Sequence, residues 1–131
     1  MLVLDTSAAL AVLASRHPEP ALVERLAGDG ELQAPHLIDV ELLNALRGLV
    51  AGGGLSEDRA ADVRDDFADL SIVRCGHELL ADRMWELRHN LTAYDAAFVA
   101  LAEALGVPLV TCDARLAASP GHDAHVELFP A

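Results

Sequence analysis

Residues 91–116 read LTAYDAAFVALAEALGVPLVTCDARL and predict a helix, a turn and a buried strand with an aspartate at each end. Thr92 is a candidate N-cap, and Asp95, three residues later, supplies the acidic half of a capping box. The helix is apolar on nearly every side, so we expect it to be buried. It ends at Gly106, and the short apolar strand that follows leads to Asp113. Because open parallel sheets bind ligands beyond the carboxyl ends of their strands, Asp113 is a candidate binding residue.

The start of the chain has the same arrangement of a strand followed by an aspartate. The apolar residues 2–4 predict a short strand, and Asp5 follows it where the chain turns into a helical run. Thr6 or Ser7 is expected to cap that helix. Asp5 therefore occupies the same kind of position as Asp113, at the carboxyl end of a strand.

Apolar spacing and breaker residues divide the rest of the chain. Helices are predicted over residues 8–14, 20–26, 37–50, 56–70 and 77–89, and strands over 32–36, 70–73 and 126–129. The second helix should end at Gly28-Asp29-Gly30 and the third at Gly52-Gly53-Gly54. Strands alternate with helices until the last two strands, which should follow each other directly. This order predicts a single domain over residues 1–131, a three-layer α/β/α fold with a central parallel sheet of four to five strands.

Two of these helices have contrasting surfaces. The helix at 56–70 carries six acidic residues around a thin apolar stripe, and we interpret the acids as a solvated face. The helix at 77–89 is predicted to be amphipathic. Its apolar face would consist of Leu79, Leu80, Met84, Trp85 and Leu87.

Composition excludes several classes of protein. The chain has 131 residues and 53% hydrophobic content, enough for one domain with a substantial core. Its net charge of −12 argues against nucleic-acid binding through a broad basic surface. All nine basic residues are arginine. The absence of lysine excludes P-loop NTPases, Schiff-base enzymes and phosphoryl sites that depend on lysine.

The cysteines and the absence of targeting segments predict the compartment. Cys75 and Cys112 are far apart in the sequence and form no metal-type or redox pair, so we expect two thiols in a reducing compartment. No secretory signal is visible, and no apolar run is long enough to span a bilayer. We therefore expect a cytoplasmic protein that does not insert into a membrane.

Four acidic residues stand out by position. Asp5 and Asp113 follow strands, whereas Glu41 and Asp95 lie near the starts of mostly apolar helices. Each has an alternative explanation alone: Asp5, Asp95 and Asp113 could cap helices or turns, and Glu41 could pair with Arg47 or another arginine. If the first and fourth strands are neighbours, however, all four carboxylates can reach one pocket.

Such a cluster of carboxylates predicts a metal site. Crowded carboxylates repel one another and need protons or cations to neutralise them. A set of oxygen ligands selects a hard divalent ion, Mg²⁺ or Mn²⁺. The six histidines show no spacing typical of a zinc site and share no helix face with the acids, so we expect them at the surface or in turns and expect no zinc.

Three segments carry a resemblance to a known family: LDTSA at 4–8, VELLNALR at 40–47 and TAYDAAFVALAEALGVPLVTCD at 92–113. Over nearly its whole length the chain resembles the PIN-domain ribonucleases, and in its small size it is similar to the toxins of VapBC toxin–antitoxin pairs. The resemblance places the family's acidic site on Asp5, Glu41, Asp95 and Asp113.

The resemblance also implies auxiliary residues near that acidic site. Thr6 and Thr111 match positions where the family has small hydroxyl residues near the metal. Arg115 and Arg47 match positions where basic residues recur, although each could equally form a structural ion pair.

The resemblance further implies an activity and its partners. PIN-domain ribonucleases hydrolyse RNA phosphodiesters with a divalent ion, which binds the scissile phosphate and lowers the pKa of a bound water. A VapC-type toxin is expected to be a homodimer that a VapB-type antitoxin blocks. Because this chain is so acidic, a basic antitoxin tail containing arginine is the expected complement.

Four other interpretations can be compared with the sequence. A phosphotransfer receiver needs a lysine after a late strand, and the chain has none. An aspartyl phosphatase needs a second aspartate two residues after the nucleophile, where this chain has Ser7. A catalytically silent PIN-like binding module, or a PIN nuclease that is not a toxin, remains open. The presence of all four acids favours the catalytic interpretation.

Overall fold

The computed structural model describes residues 1–28 and 30–131, and in this part of the chain five parallel strands form one sheet. The strands are β1 (Leu2–Leu4), β2 (Leu32–Pro35), β3 (Ile72–Cys75), β4 (Leu109–Thr111) and β5 (Val126–Leu128). The helices are α1 (Thr6–Leu13), α2 (Pro20–Ala27), α3 (Leu37–Ala51), α4 (Glu57–Asp69), α5 (Ala81–Glu86), α6 (Ala93–Leu105) and α7 (Ala114–Ala118). Single 3₁₀ turns at Glu78–Leu80 and Leu87–His89 flank α5. The turn predicted at 28–30 includes Asp29, which lies outside the described residues.

The first strand occupies the centre of the sheet. The strand order is β3-β2-β1-β4-β5, and Leu4 on β1 is in register with Val110 on β4. The apolar side chains of these two strands are fully buried, since Val3, Leu4, Leu109 and Val110 are each 0% exposed. The first and fourth strands are therefore neighbours, and the residues that follow them meet at one edge of the sheet.

Helices cover the sheet in two layers. Helix α1 packs with α2, α3 and α4, whereas α6 packs on β1, β2 and β4 together with α5. The prediction that α6 is buried is confirmed, since residues 96–102 are all buried. The predicted three-layer α/β/α fold with a parallel sheet is confirmed, and the sheet has five strands.

An ion pair fixes α5 against α6. Arg83 donates from Nε and Nη2 to the two carboxylate oxygens of Glu103, both at 2.9 Å. Glu103 also accepts the backbone N–H of Asp123 at 2.8 Å. These hydrogen bonds lower the pKa of Glu103, with Arg83 as the larger cause. A two-point contact of this kind holds α5 in a defined orientation on α6.

The segment at 77–89 differs from the predicted amphipathic helix. Leu87 is buried, but Leu79 is 93% exposed and Trp85 is 67% exposed, so the predicted apolar face is wrong at two positions. The reason is that 3₁₀ turns have three residues per turn, so side chains that align on a continuous α-helix rotate to different sides. Leu79 lies in the first 3₁₀ turn and Leu87 begins the second.

A helix that was not predicted and a strand that starts later than predicted also distinguish the structure from the sequence prediction. Helix α7 separates β4 from β5, which were expected to follow each other directly. It has only five residues, too few for a helical period to be visible. Strand β3 begins at Ile72, two residues later than predicted. Among the described helices, none combines the length and the apolar character that crossing a membrane requires.

Candidate active site

The four predicted acids line one cavity at the carboxyl ends of β1 and β4. The cavity has a volume of about 250 Å³. Its lining consists of Asp5, Thr6, Ser7, Glu41, Asn44, Ala45, Asp95 and Asp113. Thus α1, α3, α6 and the loop after β4 each contribute a carboxylate or hydroxyl to one space. We refer to it as the acidic cavity.

Asp5 is the most deeply buried of these acids. Its backbone N–H donates to the Val110 carbonyl at 3.0 Å, and only 6% of the residue is exposed. Its Oδ2 accepts hydrogen bonds from Thr111 Oγ1, at 2.7 Å, and from Ser7 Oγ. Within the described residues no hydrogen bond reaches Oδ1. One carboxylate oxygen therefore anchors the side chain and the other remains available for a ligand.

The two hydroxyls that hold Asp5 are themselves oriented by backbone groups. Ser7 Oγ accepts the N–H of Cys112 at 2.9 Å, and Thr111 Oγ1 accepts the N–H of Asp113 at 3.0 Å. The carboxylate of Asp5 accepts the proton of each hydroxyl, so the hydroxyl oxygen accepts the backbone N–H and is held between the two groups. Asp5 is thus fixed before any ligand binds.

The predicted capping role of Thr6 or Ser7 is wrong. Helix α1 begins at Thr6 itself, after Asp5, and no side chain caps its first turn. The Thr6 hydroxyl instead donates to Glu41 Oε1 at 2.7 Å, and that of Ser7 donates to Asp5. Both hydroxyls therefore orient acids of the cavity.

Glu41 lies half-buried on α3 with no arginine partner. Burial raises its pKa, the hydrogen bond from Thr6 opposes the rise, and the charges of Asp5 and Asp95 add to it. None of the ion pairs in the described residues includes Glu41 or Arg47, so the alternative pairing of these two side chains is not observed.

Asp95 lies in the capped first turn of α6 and also lines the acidic cavity, two roles that the sequence suggested as alternatives. Thr92 is the N-cap of α6, and its hydroxyl accepts the backbone N–H of Asp95 at 3.2 Å. The side chain of Asp95 lines the acidic cavity. Burial and the charges of Asp5 and Asp113 raise its pKa, whereas Arg115 and Thr92 oppose the rise. Arg115 is exposed and makes no ion pair in the described part of the chain, yet it acts on Asp95 electrostatically.

Asp113 also has a local structural role. Its Oδ1 accepts the backbone N–H groups of Arg115, at 2.9 Å, and Leu116, at 3.3 Å, which caps α7. Asp113 therefore does cap a helix, as the alternative explanation predicted, and it does so through Oδ1 alone. The same side chain lines the acidic cavity, so capping and ligand binding are compatible here.

Three residues of the cavity were not predicted from sequence: Ser7, Asn44 and Ala45. Asn44 is three residues after Glu41, and residues at this spacing share a helix face, so its place could have been inferred. The Ser7 hydroxyl accepts the N–H of Cys112, which follows β4 and is distant in the sequence. No local pattern indicates that contact.

The side chains of the acidic cavity offer atoms that suit a metal ion, but they are not arranged around one. The side chains that line the acidic cavity offer a metal only oxygen atoms, from carboxylates, hydroxyls and the amide carbonyl of Asn44, and this set suits a hard divalent cation. Among residues 1–28 and 30–131, however, no three acidic, histidine or cysteine side chains are close enough together to hold an ion as they stand. Glu41 and Asp113 are turned partly onto Thr6 and onto α7. The donor chemistry fits such an ion, whereas the side chains do not form a closed coordination site.

Comparison with known structures and sequences identifies the class of protein. The sequence model of the PIN domain matches residues 2–121. The structure of PAE2754 from Pyrobaculum aerophilum superposes with a TM-score of 0.70 at 23% identity, covering 95% of this chain and 81% of that one. The VapC20 toxin of Mycobacterium tuberculosis, described as cleaving the sarcin-ricin loop, superposes with a TM-score of 0.63 at 17% identity, covering 90% and 94%. Both neighbours share the fold described above.

A curated relative narrows the assignment within that class. Ribonuclease VapC12 of Mycobacterium tuberculosis is 41% identical over 128 residues, which is 98% of both chains. The chain therefore belongs to the PIN-domain family, among the VapC ribonucleases. The resemblance inferred from the sequence is confirmed.

We expect Asp95→Asn to stabilise the metal-free protein. Because burial and nearby charge raise the pKa of Asp95, its ionised form costs folding free energy at neutral pH, and a neutral amide removes that cost. The gain should be complete above the raised pKa and should disappear as the pH falls through it towards the unfolded value. Each kcal/mol gained should raise the melting temperature by about 2–8 °C in EDTA.

The matched control for this prediction is Asp66→Asn, on the exposed face of α4. It should leave the melting temperature nearly unchanged at every pH, since exposed substitutions have small effects. A melting temperature of Asp95→Asn below that of the wild type at neutral pH would contradict the prediction.

Millimolar Mg²⁺ or Mn²⁺ should raise the melting temperature of the wild type. A cation that binds only the folded carboxylate cluster stabilises by mass action, by about 2.7 kcal/mol at 100 times its dissociation constant. Asp5→Asn should respond less because it removes one carboxylate of the cluster. Equal shifts in the two proteins would mean that the ion binds elsewhere.

Proposed function

We propose that this chain is a divalent-metal-dependent endoribonuclease that acts as the toxin of a type II toxin–antitoxin pair. Two observations support the proposal. Its relatives at about 40% identity are named ribonucleases of the VapC group. Four carboxylates, from four separate segments, line a single cavity. The second observation carries the chemical argument, because buried and half-buried acids without an ionic partner are typical of functional sites.

Asp5, Glu41, Asp95 and Asp113 are the residues that would hold the ion, which we propose to be Mg²⁺ or Mn²⁺. Ribonucleases of this family generally depend on divalent metals. A divalent ion bound there would supply the positive charge that a phosphodiester needs at such an acidic site, and it would acidify water. In the described part of the chain no basic side chain lines the acidic cavity, so the cavity itself does not supply this charge.

The protein's own contribution is to position these acids and to attract the RNA backbone. Ser7 and Thr111 hold Asp5, and Thr6 holds Glu41, so that few conformations are lost when a ligand binds. Arg115 is exposed beside Asp95 and pairs with no acid in the described residues. We assign it an auxiliary role in contacting a phosphate of the RNA.

The proposed partners follow from the same features. RNA is the substrate, and a VapB-type antitoxin is the inhibitor, whose arginines would bind the carboxylates of the acidic cavity. A desolvated arginine–carboxylate contact is bidentate and specific, so it would compete with the metal for the same oxygens. We further propose that residues 1–131 act as one PIN-like domain, in a homodimer, in the cytoplasm.

Cleavage by the purified chain, freed of any partner, tests the enzymatic proposal. Asp5→Asn and Asp95→Asn should each lower RNA cleavage by at least about 100-fold, since each removes a carboxylate that the reaction needs. Both variants should retain the wild-type far-ultraviolet circular dichroism spectrum. Asp66→Asn is again the matched control and should cleave at the wild-type rate.

Two outcomes would contradict the enzymatic proposal. Full activity in Asp5→Asn or Asp95→Asn would remove that residue from the site. Absence of cleavage by the wild type, with Mn²⁺ present and a folded protein, would favour a silent PIN-like binding module.

The toxin role predicts an effect on growth. Expression of the wild-type chain alone should slow growth, whereas expression of Asp5→Asn to the same level should not. Co-expression of its antitoxin should restore growth, and replacement of the antitoxin's arginines should weaken the rescue. If confirmed soluble wild-type protein leaves growth unchanged, a PIN nuclease that is not a toxin becomes the better description.

A further inference from the structure

A second cavity lies beside the acidic cavity, between α5 and the first turn of α6. It has a volume of about 450 Å³, within the range of small-ligand sites at about 300–1,000 Å³. Its lining consists of Ala81, Met84, Trp85, Arg88, Leu91, Thr92 and Ala93. We call it the α5–α6 pocket. None of the roles described above uses it.

The α5–α6 pocket contains an exposed aromatic ring and a cation. Trp85 is the only tryptophan of the chain, and 67% of it is exposed. The guanidinium of Arg88 lies over this ring at 4.4 Å from the centroid, and its Nη1 donates to the Trp85 carbonyl at 2.9 Å. No acid in the described residues pairs with Arg88. Arg88 covers part of one ring face, and the pocket presents the rest of this exposed ring next to a positive charge that no acid of the described residues pairs with.

The α5–α6 pocket and the acidic cavity share the first turn of α6. Thr92 lines the pocket, and its hydroxyl accepts the N–H of Asp95, whose side chain lines the acidic cavity. One helical turn rises by about 5.4 Å. Thr92 and Asp95 lie within one helical turn, so the two cavities are lined from the same end of α6.

The geometry of the pocket is largely set before a ligand arrives. The two hydrogen bonds from Arg83 to Glu103 fix α5 on α6, and Leu91, which lines the pocket, is 7% exposed. Trp85 itself stands on the short helix that this ion pair holds. A rigid aromatic surface binds a planar ligand with little loss of conformational entropy.

We propose that the α5–α6 pocket binds an unpaired base of the RNA substrate, which stacks on Trp85 while Arg88 contacts a neighbouring phosphate. Single-stranded nucleic acids are bound in this way, by aromatic rings on which bases stack and by arginines near the backbone. The inference rests on the proposed ribonuclease function. It adds a subsite that would hold the strand next to the point of cleavage.

Charge favours RNA over a protein segment as the occupant. An antitoxin tail that suits the acidic cavity is basic, and Arg88 would repel it. The ligand that suits Arg88 and Trp85 together is anionic and carries a flat aromatic ring, which describes a nucleotide. Because the protein has a net charge of −12, RNA should approach it where an arginine has no acidic partner.

Fluorescence of Trp85 tests binding directly, because the chain contains one tryptophan. In EDTA, which prevents cleavage, short single-stranded RNA of mixed sequence should quench its emission saturably, and the same RNA annealed into a duplex should not. Arg88→Ala should weaken this binding by about 5- to 100-fold. Unchanged emission while labelled RNA binds by anisotropy, or equal quenching by the duplex, would overturn the proposal.

Cleavage kinetics with total cellular RNA and Mn²⁺ test the functional consequence. Trp85→Ala should raise the apparent KM by about 5- to 100-fold with a smaller change in kcat, because base stacking contributes to binding. Trp85→Phe keeps a stacking ring and should recover most of the loss. Leu79→Ala removes a comparably exposed apolar side chain outside the pocket and should resemble the wild type.

These outcomes separate the subsite from the proposed function. If the wild type cleaves RNA and Trp85→Ala does so with the same KM, the subsite is wrong and the ribonuclease proposal stands. If the wild type cleaves no RNA, the ribonuclease proposal fails, and quenching by single-stranded RNA still decides whether the pocket binds it. If Trp85→Ala leaves the KM unchanged but reduces self-association in sedimentation, the pocket belongs to a protein interface, which also overturns the proposal.

Discussion

The pairing of β1 with β4 is the interaction on which the acidic cavity depends. It joins segments that are more than a hundred residues apart, since the bond from Thr111 to Asp5 spans 106 positions. Closing so long a loop costs chain entropy, which the fully buried Val3, Leu4 and their partners on β4 offset. Once the strands pair, the residue after β1 and those at the end of β4 must meet. The apolar core therefore places the polar site.

The acidic cavity carries an electrostatic cost. Glu41 and Asp95 are half-buried, and burial together with neighbouring acids raises the pKa of each. Two half-buried acids elsewhere are paired: Glu103 with Arg83, and Asp39 with Arg74, whose guanidinium lowers the pKa of Asp39. Among the described residues the acids of the cavity have no such partner, and this difference supports the proposal that they bind a cation.

The distribution of positive charge complements this arrangement. A protein of net charge −12 repels RNA over most of its surface, so approach depends on local cations and on neutralisation of the cavity. Arg115 lies near Asp95, and Arg88 lines the α5–α6 pocket together with Thr92 and stacks on an exposed tryptophan. Both arginines are close to the first turn of α6. That turn therefore carries one acid of the proposed metal site, and two arginines that could contact an RNA strand lie near it.

The sequence by itself determined the features that local interactions control. Neighbours in the chain define α6 through the cap at Thr92 and the left-handed Gly106, with φ of 65°. The sequence also shows which acids follow buried strands, and these acids indicate the candidate site. Only the tertiary structure decided that Ser7 holds Asp5 rather than capping α1, because the Cys112 N–H that orients the Ser7 hydroxyl follows β4, 105 positions away. It also decided that Trp85 is exposed, since the 3₁₀ turns around α5 rotate a face that an ideal helix would bury.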